Sequence, residues 1–283
     1  MDNHGNFKFS IVTPVFNGET VIGDLMHSIV SQDYLDWELI IQDGKSNDKT
    51  LEIINSFSDH RIKVLSEEDE GMYDALNKGI SRTSGNFIIH LNCDEQLMEG
   101  ALRKIVDEIN SKPQYDVYCF GVLIIDKNRE PRVFRSAYPQ ISLFIKLYNF
   151  DILTAGIVYR KDIFKKLVFD TEYKTVSDAL FFIELLKYFE IFYSKKYISL
   201  FLIEGKNLSL ASKAVVERVR IKKTVFLSWL TYFLFYIPRK IYKIYNNCHI
   251  YKGPRNTIEL FYEGEKVKKN FRHISYRLNW DRF

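Results

Sequence analysis

Cysteine is scarce and scattered in this sequence. Three of the 283 residues are cysteine, no two of them form a CxxC pair, and they lie at Cys93, Cys119 and Cys248. This distribution argues against a disulfide framework and against a structural zinc site, and it fits a reducing compartment. The first residues, MDNHGNFKF, also lack the basic and apolar regions of a secretory signal. We therefore expect a cytoplasmic protein.

Long apolar runs and a strong charge imbalance are lacking as well. No uninterrupted apolar stretch reaches the roughly 20 residues that a membrane-spanning helix needs. The net charge is +4 at pH 7, which is too small to indicate a nucleic-acid binder. With 46% hydrophobic and 27% charged residues, the composition is that of a folded protein. A chain of 283 residues can form one large domain or two small ones that share a core.

Short apolar runs alternate with helical patterns along the chain. The runs that predict strands are Phe9–Val12, Glu38–Gln42, Lys63–Leu65, Phe87–Leu91 and Tyr115–Ile125. The segments with helical spacing are residues 19–32, 51–57, 72–81 and 177–192. Short, fully apolar strands separated by helices predict an α/β fold, with a mostly parallel sheet flanked by helices on both faces.

Polar clusters follow three of the predicted strands. Their sequences are TPVFN, DGKSND and NCDE. In open α/β sheets, ligands bind in the crevice beyond the carboxyl ends of the strands. We therefore expect the three clusters to converge on one edge of the sheet and to form a nucleotide site there.

The NCDE cluster, residues 92–95, has two interpretations. Asp94 or Glu95 can cap a helix that begins near Met98, because Asp is favoured at such positions. Alternatively, these carboxylates hold Mn²⁺ or Mg²⁺, and the diphosphate of a ligand fills the remaining coordination positions, as is usual for these ions. The pattern alone leaves both interpretations open.

The other clusters are ambiguous in the same way. Asp43, at the end of a predicted strand, can accept a hydrogen bond from a nucleotide base, and Gly44 lets backbone come close; a surface turn is the alternative. In EGMYDALNKG, Tyr73 and Asn77 share one helix face, and a second i,i+4 pair ends at Lys78. This face can meet the nucleotide and the sugar, whereas an ordinary surface ion pair is the alternative.

Three longer stretches carry a joint signal. They are SIVTPVFNGE, DGKSNDKTLEII and DEGMYDALNKGISRTSGNFIIHLNCDE. In order and spacing they match the PxYN, DGSTDGT, DxGIYDAMNKG and LNSDD motifs, so the chain resembles the family 2 glycosyltransferases, which are inverting enzymes of the GT-A fold. The resemblance is close over residues 7–110 and thins out towards residue 190. It implies a nucleotide-sugar donor and a divalent metal, Mn²⁺ or Mg²⁺.

The resemblance also implies a role for residues in each stretch. Phe16 would occupy the aromatic position near the base, Asp43 would face the uracil edge, and Asn92 would contact the ribose. Asp94 would be the metal ligand, with Glu95 assisting it. The remaining residues implied for the donor site are Thr13, Pro14, Asn17, Glu19, Gly44, Tyr73, Asn77, Lys78 and Cys93.

A catalytic base is implied at the N-terminus of a helix in the second half. TVSDALFFIELL fits this position and assigns the role to Asp178. Because helix N-termini favour an ionised carboxylate, we expect Asp178 to be anionic at neutral pH. The alternative is that Asp178 only caps the helix, with Ser177 as a rival cap. One departure affects the acceptor side, since Thr154 and Ala155 stand where many relatives carry His-Gln.

The chain becomes basic and aromatic from Lys213 onward. We expect residues 1–110 to form the donor-binding half of the domain, 111–210 the acceptor-binding and catalytic-base half, and 211–283 a helical extension. Within 213–245, the segment VFLSWLTYFLFYI is too short to span a membrane and is either a core helix or an interfacial helix on an anionic membrane surface. The second interpretation would place the protein on the inner face of the plasma membrane.

Rival functions lack their expected motifs. A nucleotidyltransferase would need a Gly-rich, Arg-containing phosphate loop after the first strand, and an NAD-dependent oxidoreductase would need GxGxxG. A non-catalytic relative that binds sugar nucleotides is disfavoured by the presence of both Asp94 and Asp178. We therefore predict transfer of a sugar, by default from UDP-hexose or UDP-N-acetylhexosamine, to a glycan or polyprenyl-diphosphate-linked acceptor. Bacterial surface polysaccharide synthesis is the expected setting by analogy.

Overall fold

The computed structural model describes residues 7–139, 152–203, 214, 216–220 and 257–270. Its first elements alternate between strand and helix as predicted. They are β1 (Phe9–Val15), α1 (Ile22–Val30), β2 (Trp37–Asp43), α2 (Thr50–Asn55), β3 (Ile62–Ser66), α3 (Met72–Ser81), β4 (Phe87–His90), β5 (Glu95–Leu97) and α4 (Ala101–Ser111). The later elements are β6 (Val117–Asp126), β7 (Pro131–Arg135), β8 (Ile157–Arg160), α5 (Ser177–Tyr188), β9 (Ile191–Ile203), β10 (Thr257–Tyr262) and β11 (Glu265–Asn270).

One large sheet unites both predicted halves of the domain. Strands β3, β2, β1 and β4 lie side by side and are parallel. The sheet then continues through β8, β6, β9 and β5, where β8 is antiparallel to β4 and β9 is parallel to β6. Because the first four strands are parallel, the loops that follow β1, β2, β3 and β4 all leave the same edge of the sheet.

The parallel strands β1, β2 and β4 are buried on both faces, whereas the edge strand β3 is partly exposed. Along β1, Ile11 belongs to the core beneath α1 and α4, whereas its neighbour Val12 belongs to the core beneath α3 and α5. Successive side chains of a strand point to opposite faces, so this division shows helices covering both sides of the sheet. The predicted α/β fold is confirmed.

Two helix boundaries were predicted wrongly. The helix expected at 177–192 ends at Tyr188, because Ile191 and Phe192 pair with Val117 and Tyr118 in the sheet. The helix expected near Met98 begins at Ala101, after Gly100 in the left-handed conformation at φ 63°. At residues 191 and 192, a sheet strand occupies positions that local periodicity assigned to a helix.

The extension that we expected to be helical also contains strands. Residue 214 and residues 216–220 are helical, but β10 and β11 form an antiparallel hairpin. Its turn residues Glu263 and Gly264 have φ values of 51° and 81°, as a two-residue type I′ turn requires. Residues 225–237 lie outside the described residues. Within the described ranges, no helix combines the length and apolar character needed to cross a membrane.

The hairpin packs onto the large sheet. Leu260 and Ile258 join a small core with Leu123 and Leu200. The Gln96 side chain donates to the Phe261 carbonyl and accepts from the Phe261 N–H, both at 2.9 Å. The hairpin is therefore joined to β5, the strand that starts at Glu95.

Candidate active site

The loop after β1 is tied to the loop after β2. The Asn17 N–H donates to Ser46 Oγ at 2.8 Å, and Asn17 Oδ1 accepts from the Asn47 N–H at 3.0 Å. Glu19 Oε2 accepts from the Lys49 N–H at 2.9 Å. The side chains of Asn17 and Glu19 thus hold the two loops together. Phe16, the residue before Asn17, is 62% exposed, which leaves its ring available to a ligand.

Thr13 and Pro14 are the strand residues that precede this loop, and both are buried in β1. The Thr13 hydroxyl is one of the buried polar atoms that make no hydrogen bond. Cys93 lies behind the same loop, since a Cβ added at Gly18 would be 3.5 Å from Cys93 Sγ. Burial raises the pKa of the Cys93 thiol, so this side chain acts as a neutral packing group.

Asp43 ends β2 and is fully buried. Its carboxylate accepts from the Ser66 hydroxyl at 2.6 Å and from the Ser46 N–H at 3.2 Å. Gly44 leaves room for the Asp69 side chain, because a Cβ at position 44 would lie 2.4 Å from Asp69 Oδ2. Asp69 is a site candidate that sequence reasoning missed. Its signal was available, since it follows β3 at the same sheet edge.

The loop from Asn92 to Glu95 is fixed from within. Glu95 is 1% exposed, and its carboxylate accepts from the Asn92 N–H at 2.8 Å and from Asn92 Nδ2 at 3.1 Å. Asn92 Oδ1 lies 3.1 Å from Nε2 of buried His90. Burial lowers the pKa of His90 to about 4, so the imidazole is neutral and Nε2 can donate to Asn92. His90 is a supporting residue that sequence reasoning missed.

Asp94 and Glu95, the two predicted metal ligands, differ in their burial and in their contacts. Burial, and then the charge of Asp94, raise the pKa of Glu95 well above its usual range, and both Glu95 oxygens face Asn92. Asp94 is half-buried, so its carboxylate can be reached from solvent. Neither residue caps a helix, since α4 begins only at Ala101 and has no side-chain cap. The capping interpretation was therefore wrong.

The residues present fit a metal that is shared with a ligand. In the described part of the chain, no group of three or more His, Cys, Asp and Glu side chains could hold a metal ion. Mn²⁺ and Mg²⁺ commonly take one or two protein carboxylates and complete their coordination with phosphate oxygens and water. Asp94 supplies such a carboxylate at the edge where a diphosphate would lie.

The polar face of α3 contributes one residue to the site. Tyr73 is 2% exposed, and its hydroxyl donates to Asp178 Oδ1 at 3.0 Å. Both ends of the Asn77 amide bond the Phe169 backbone, at 2.8 and 3.0 Å. Lys78 pairs with Asp74 at 2.8 Å, so the surface ion pair that we weighed as an alternative is present. To contact a donor, Asn77 and Lys78 would have to exchange these interactions for contacts with the ligand.

Asp178 is half-buried in the first turn of α5. It accepts from the Ala179 N–H at 2.8 Å as well as from Tyr73. Burial raises the pKa of Asp178 to about 6, against the lowering effects of these hydrogen bonds and of the Arg218 charge. The carboxylate is therefore still mostly ionised at neutral pH. The rival cap Ser177 makes no hydrogen bond through its buried hydroxyl.

Asp178 lies at the same edge as the loop after β4. The negative charge of Asp178 adds to the rise in the pKa of Glu95, so the two carboxylates are within electrostatic reach. Thr154 and Ala155, where the resemblance led us to expect His-Gln, are buried in a 3₁₀ turn. Asp178 is thus hydrogen-bonded to Tyr73 and lies within electrostatic reach of the Asn92–Glu95 loop at one edge of the sheet.

The fold is that of the GT-A glycosyltransferases. A sequence model of the family described as Glycosyl transferase family 2 matches residues 10–168. The chain belongs to this family, and the resemblance predicted from its motifs is confirmed.

Curated relatives match part of their own length. A PGL/p-HBAD biosynthesis glycosyltransferase of Mycobacterium bovis is 29% identical over 175 residues, which cover 60% of this chain and 66% of the relative. A GalNAc(5)-diNAcBac-PP-undecaprenol beta-1,3-glucosyltransferase of Campylobacter jejuni is 30% identical over 124 residues, which cover 42% of this chain and 39% of the relative. The matched region is less than two thirds of either relative.

Solved structures share the fold at low sequence identity. S. aureus TarS 1-349 in complex with UDP-GlcNAc has a TM-score of 0.56 and 19% identity, covering 76% of this chain and 65% of that chain. The mannosyltransferase PcManGT from Pyrobaculum calidifontis, in complex with GDP-Man and Mn²⁺, has a TM-score of 0.51 and 14% identity, covering 69% and 56% respectively.

Proposed function

We propose that this protein is an inverting glycosyltransferase. It would move a sugar from a nucleotide-sugar donor to a hydroxyl of a glycan or lipid-linked acceptor. The observation that carries the proposal is the hydrogen bond of 3.0 Å between Tyr73 and Asp178. Tyr73 lies at the start of α3, and a helix that follows a parallel strand starts at the carboxyl edge of the sheet. This bond therefore holds the candidate base at the edge where Asp43 and Asp94 lie.

The reaction would be a single displacement at the anomeric carbon. Asp178 takes the proton of the acceptor hydroxyl as its oxygen forms a bond to that carbon, while the bond to the nucleoside diphosphate breaks on the opposite face. Asp94 would hold a Mn²⁺ or Mg²⁺ ion, which supplies charge neutralisation to the departing diphosphate. The protein needs no nucleophile of its own in this scheme, because placement and charge provide the catalysis.

The donor is proposed to be UDP-hexose or UDP-N-acetylhexosamine. Asp43, which ends β2, would accept from a base N–H, and the exposed ring of Phe16 would stack on the base. TarS, which shares the fold, was solved with UDP-GlcNAc. Residues 1–110 would bind this donor, and residues 111–210 would supply Asp178 and the acceptor site.

The acceptor is proposed to be a glycan or a polyprenyl-diphosphate-linked sugar used for surface polysaccharide such as O-antigen, capsule or exopolysaccharide. The name of the Campylobacter relative describes an undecaprenol-linked acceptor. A lipid-linked acceptor would give the basic, aromatic segment 213–245 a role on the inner surface of the plasma membrane. Replacing Arg239, Lys240 and Lys243 with Gln should then reduce flotation with anionic liposomes, and equal flotation would remove the membrane proposal.

A panel of sugar nucleotides tests the function. Thermal shift with UDP-, GDP- and dTDP-sugars, each with and without Mn²⁺, identifies the donor that binds. Release of nucleoside diphosphate from that donor, with Asp178→Asn as the control, then separates an enzyme from a binding protein. Two results would contradict the proposed activity: a donor that binds but releases no nucleoside diphosphate, or a release that is equal in the wild type and in Asp178→Asn.

A further inference from the structure

A short helical segment near the C-terminal part of the chain lies against the loop that leads into α5. The segment consists of residues 214 and 216–220, beyond the region 10–168 that the family model matches. Glu217 makes the main contact between this segment and the loop. Its carboxylate accepts from the Lys174 N–H at 2.7 Å, from the Thr175 N–H at 2.9 Å and from Thr175 Oγ1 at 2.6 Å. These three bonds hold the backbone at Lys174 and Thr175, three to four residues before Asp178.

The same loop is held from its other side by α3. Lys174 Nζ donates to the Glu70 carbonyl at 2.7 Å, just before α3 begins. Val176 and Ser177, which connect this loop to Asp178, are buried. The backbone that carries Asp178 is thus clamped between the start of α3 and Glu217.

A second contact of the segment is much weaker. Arg220 lies 3.9 Å from Glu172, and both side chains are largely exposed, at 63% and 74%. Exposed pairs of this kind contribute little to stability. The Glu172–Arg220 pair joins the same two pieces of chain as Glu217 does, so it offers a matched control.

Arg218 places a positive charge near Asp178. The charged and titratable groups that act on Asp178 come from several elements: Tyr73 on α3, Tyr159 on β8, Glu95 on β5 and Arg218 on the segment. Tyr73 donates a hydrogen bond, and Glu95 is a second carboxyl group. Arg218 is thus a cation that favours the ionised form of Asp178, and Glu217 anchors the turn of helix that carries it.

We propose that Glu217 is a positioning residue for Asp178. By holding Lys174 and Thr175, it fixes the entry into α5 and keeps Arg218 beside the carboxylate. The proposal rests on the proposed role of Asp178 as the base. Small displacements of a catalytic group are enough to slow a reaction strongly, so loss of Glu217 should act on turnover more than on donor binding.

Kinetics of three variants test the proposal. Glu217→Ala should lower kcat by about tenfold or more, while the KM for the nucleotide sugar and the Kd for UDP with Mn²⁺ stay within about twofold. Glu217→Gln keeps one acceptor oxygen and should give an intermediate kcat. Glu172→Ala removes the exposed pair and should behave as the wild type. Equal effects of Glu217→Ala and Glu172→Ala, or an equal loss of UDP binding and turnover, would overturn the proposal.

Hydrogen exchange gives a test that does not depend on activity. Glu217→Ala should speed exchange of the Lys174 and Thr175 amides, which lose their acceptor, and leave the amides of β1 to β4 unchanged. Unchanged exchange at both amides would overturn the proposal, whatever the activity. If the wild type transfers no sugar but exchange changes as expected, the proposed function fails while the contact of Glu217 with this loop stands.

Discussion

Tyr73 and Asp178 are separated by 105 residues in the sequence, and the Tyr73 hydroxyl donates to Asp178 Oδ1 at 3.0 Å. Burial, and then the charge of Asp178, raise the pKa of Tyr73 well above its usual range, so the phenol stays neutral and remains a hydrogen-bond donor. The bond stabilises the ionised form of Asp178. It also joins α3, in the predicted donor half, to α5, in the predicted acceptor half.

Replacing Tyr73 with Phe should shift the pH dependence of turnover. Asp178 must be ionised to accept a proton, so kcat should rise as the pH increases through its pKa of about 6. Burial raises this pKa and the Tyr73 bond lowers it, so Tyr73→Phe should raise it further and move the acid limb to higher pH. The profile of kcat over about pH 5–8 measures this shift. Tyr197→Phe, which removes a hydroxyl bonded to Ser136 at 2.6 Å, serves as the control, and matching profiles for both variants would refute the role of Tyr73.

Asp94 and Glu95 should differ in their effect on metal dependence. Asp94→Asn should raise the Mn²⁺ concentration needed for half-maximal turnover by about tenfold or more, because even partners behind a metal ligand affect affinity this strongly. Glu95→Gln should change it by less than about threefold, since both Glu95 oxygens face Asn92 and the amide retains one acceptor. Mn²⁺ titrations of both variants test the contrast. A larger effect from Glu95→Gln would reverse the assignment.

A buried ion pair beside the C-terminal hairpin should contribute strongly to stability. Arg129 Nη2 lies 3.0 Å from Asp24 Oδ2, and the two side chains are 5% and 6% exposed. The Gly264 N–H of the hairpin turn donates to the same carboxylate at 3.2 Å. Arg129→Met leaves Asp24 buried without its cation and should lower the free energy of unfolding by about 3–5 kcal/mol.

Lys269→Met is the matched control for this experiment. Lys269 joins the hairpin to the domain through an ion pair with Glu130 at 2.6 Å, and this partner is 50% exposed. Loss of such a pair should cost about 0–1 kcal/mol in urea unfolding. Equal losses for the two variants would show that burial of the Arg129 pair is unimportant.

Acid should remove a contribution of Glu38 to stability. Glu38 is 2% exposed; its burial raises the pKa, but hydrogen bonds from Lys63, Ser10 and Ser84 outweigh burial and lower the pKa from 4.5 to about 2. A lowered folded-state pKa stabilises the protein above pH 4.5, and this contribution is lost as the pH falls towards 2. Urea unfolding should therefore show a larger deficit for Glu38→Gln at neutral pH than near pH 3. A deficit that does not change with pH would contradict this account.

The sequence predicted the elements whose signals are local. Residues 72–81 formed a helix with the predicted bounds, since its apolar stripe and its polar face both repeat at helical spacing. The four parallel strands were predicted as well, because buried strands such as β1, β2 and β4 appear as short, largely apolar runs. Asp43, Asp94 and Asp178 were proposed as site residues from motifs, and they remain predictions; Asp43 ends β2 and Asp94 lies in the loop after β4.

Local sequence pattern could not predict pairing and hydrogen-bond partners that are distant in the sequence. Ile191 and Phe192 have helical spacing but pair with β6, and Glu95 resembles a cap but accepts from Asn92. The contact of Glu217 with Lys174 had no signal in the sequence. The hairpin did have one, because alternating apolar residues in TIELFY precede a Glu-Gly turn, a pattern typical of two-residue hairpins.

The most direct measurement is a comparison of donor binding and turnover in Asp178→Asn. Once the thermal-shift panel has identified a sugar nucleotide, calorimetry gives its Kd with Mn²⁺, and a single-turnover assay gives the rate of sugar transfer. We predict that the Kd stays within about twofold of the wild type while the rate falls by about 1,000-fold. A variant that transfers sugar at the wild-type rate would show that the carboxylate beside Tyr73 is not the base.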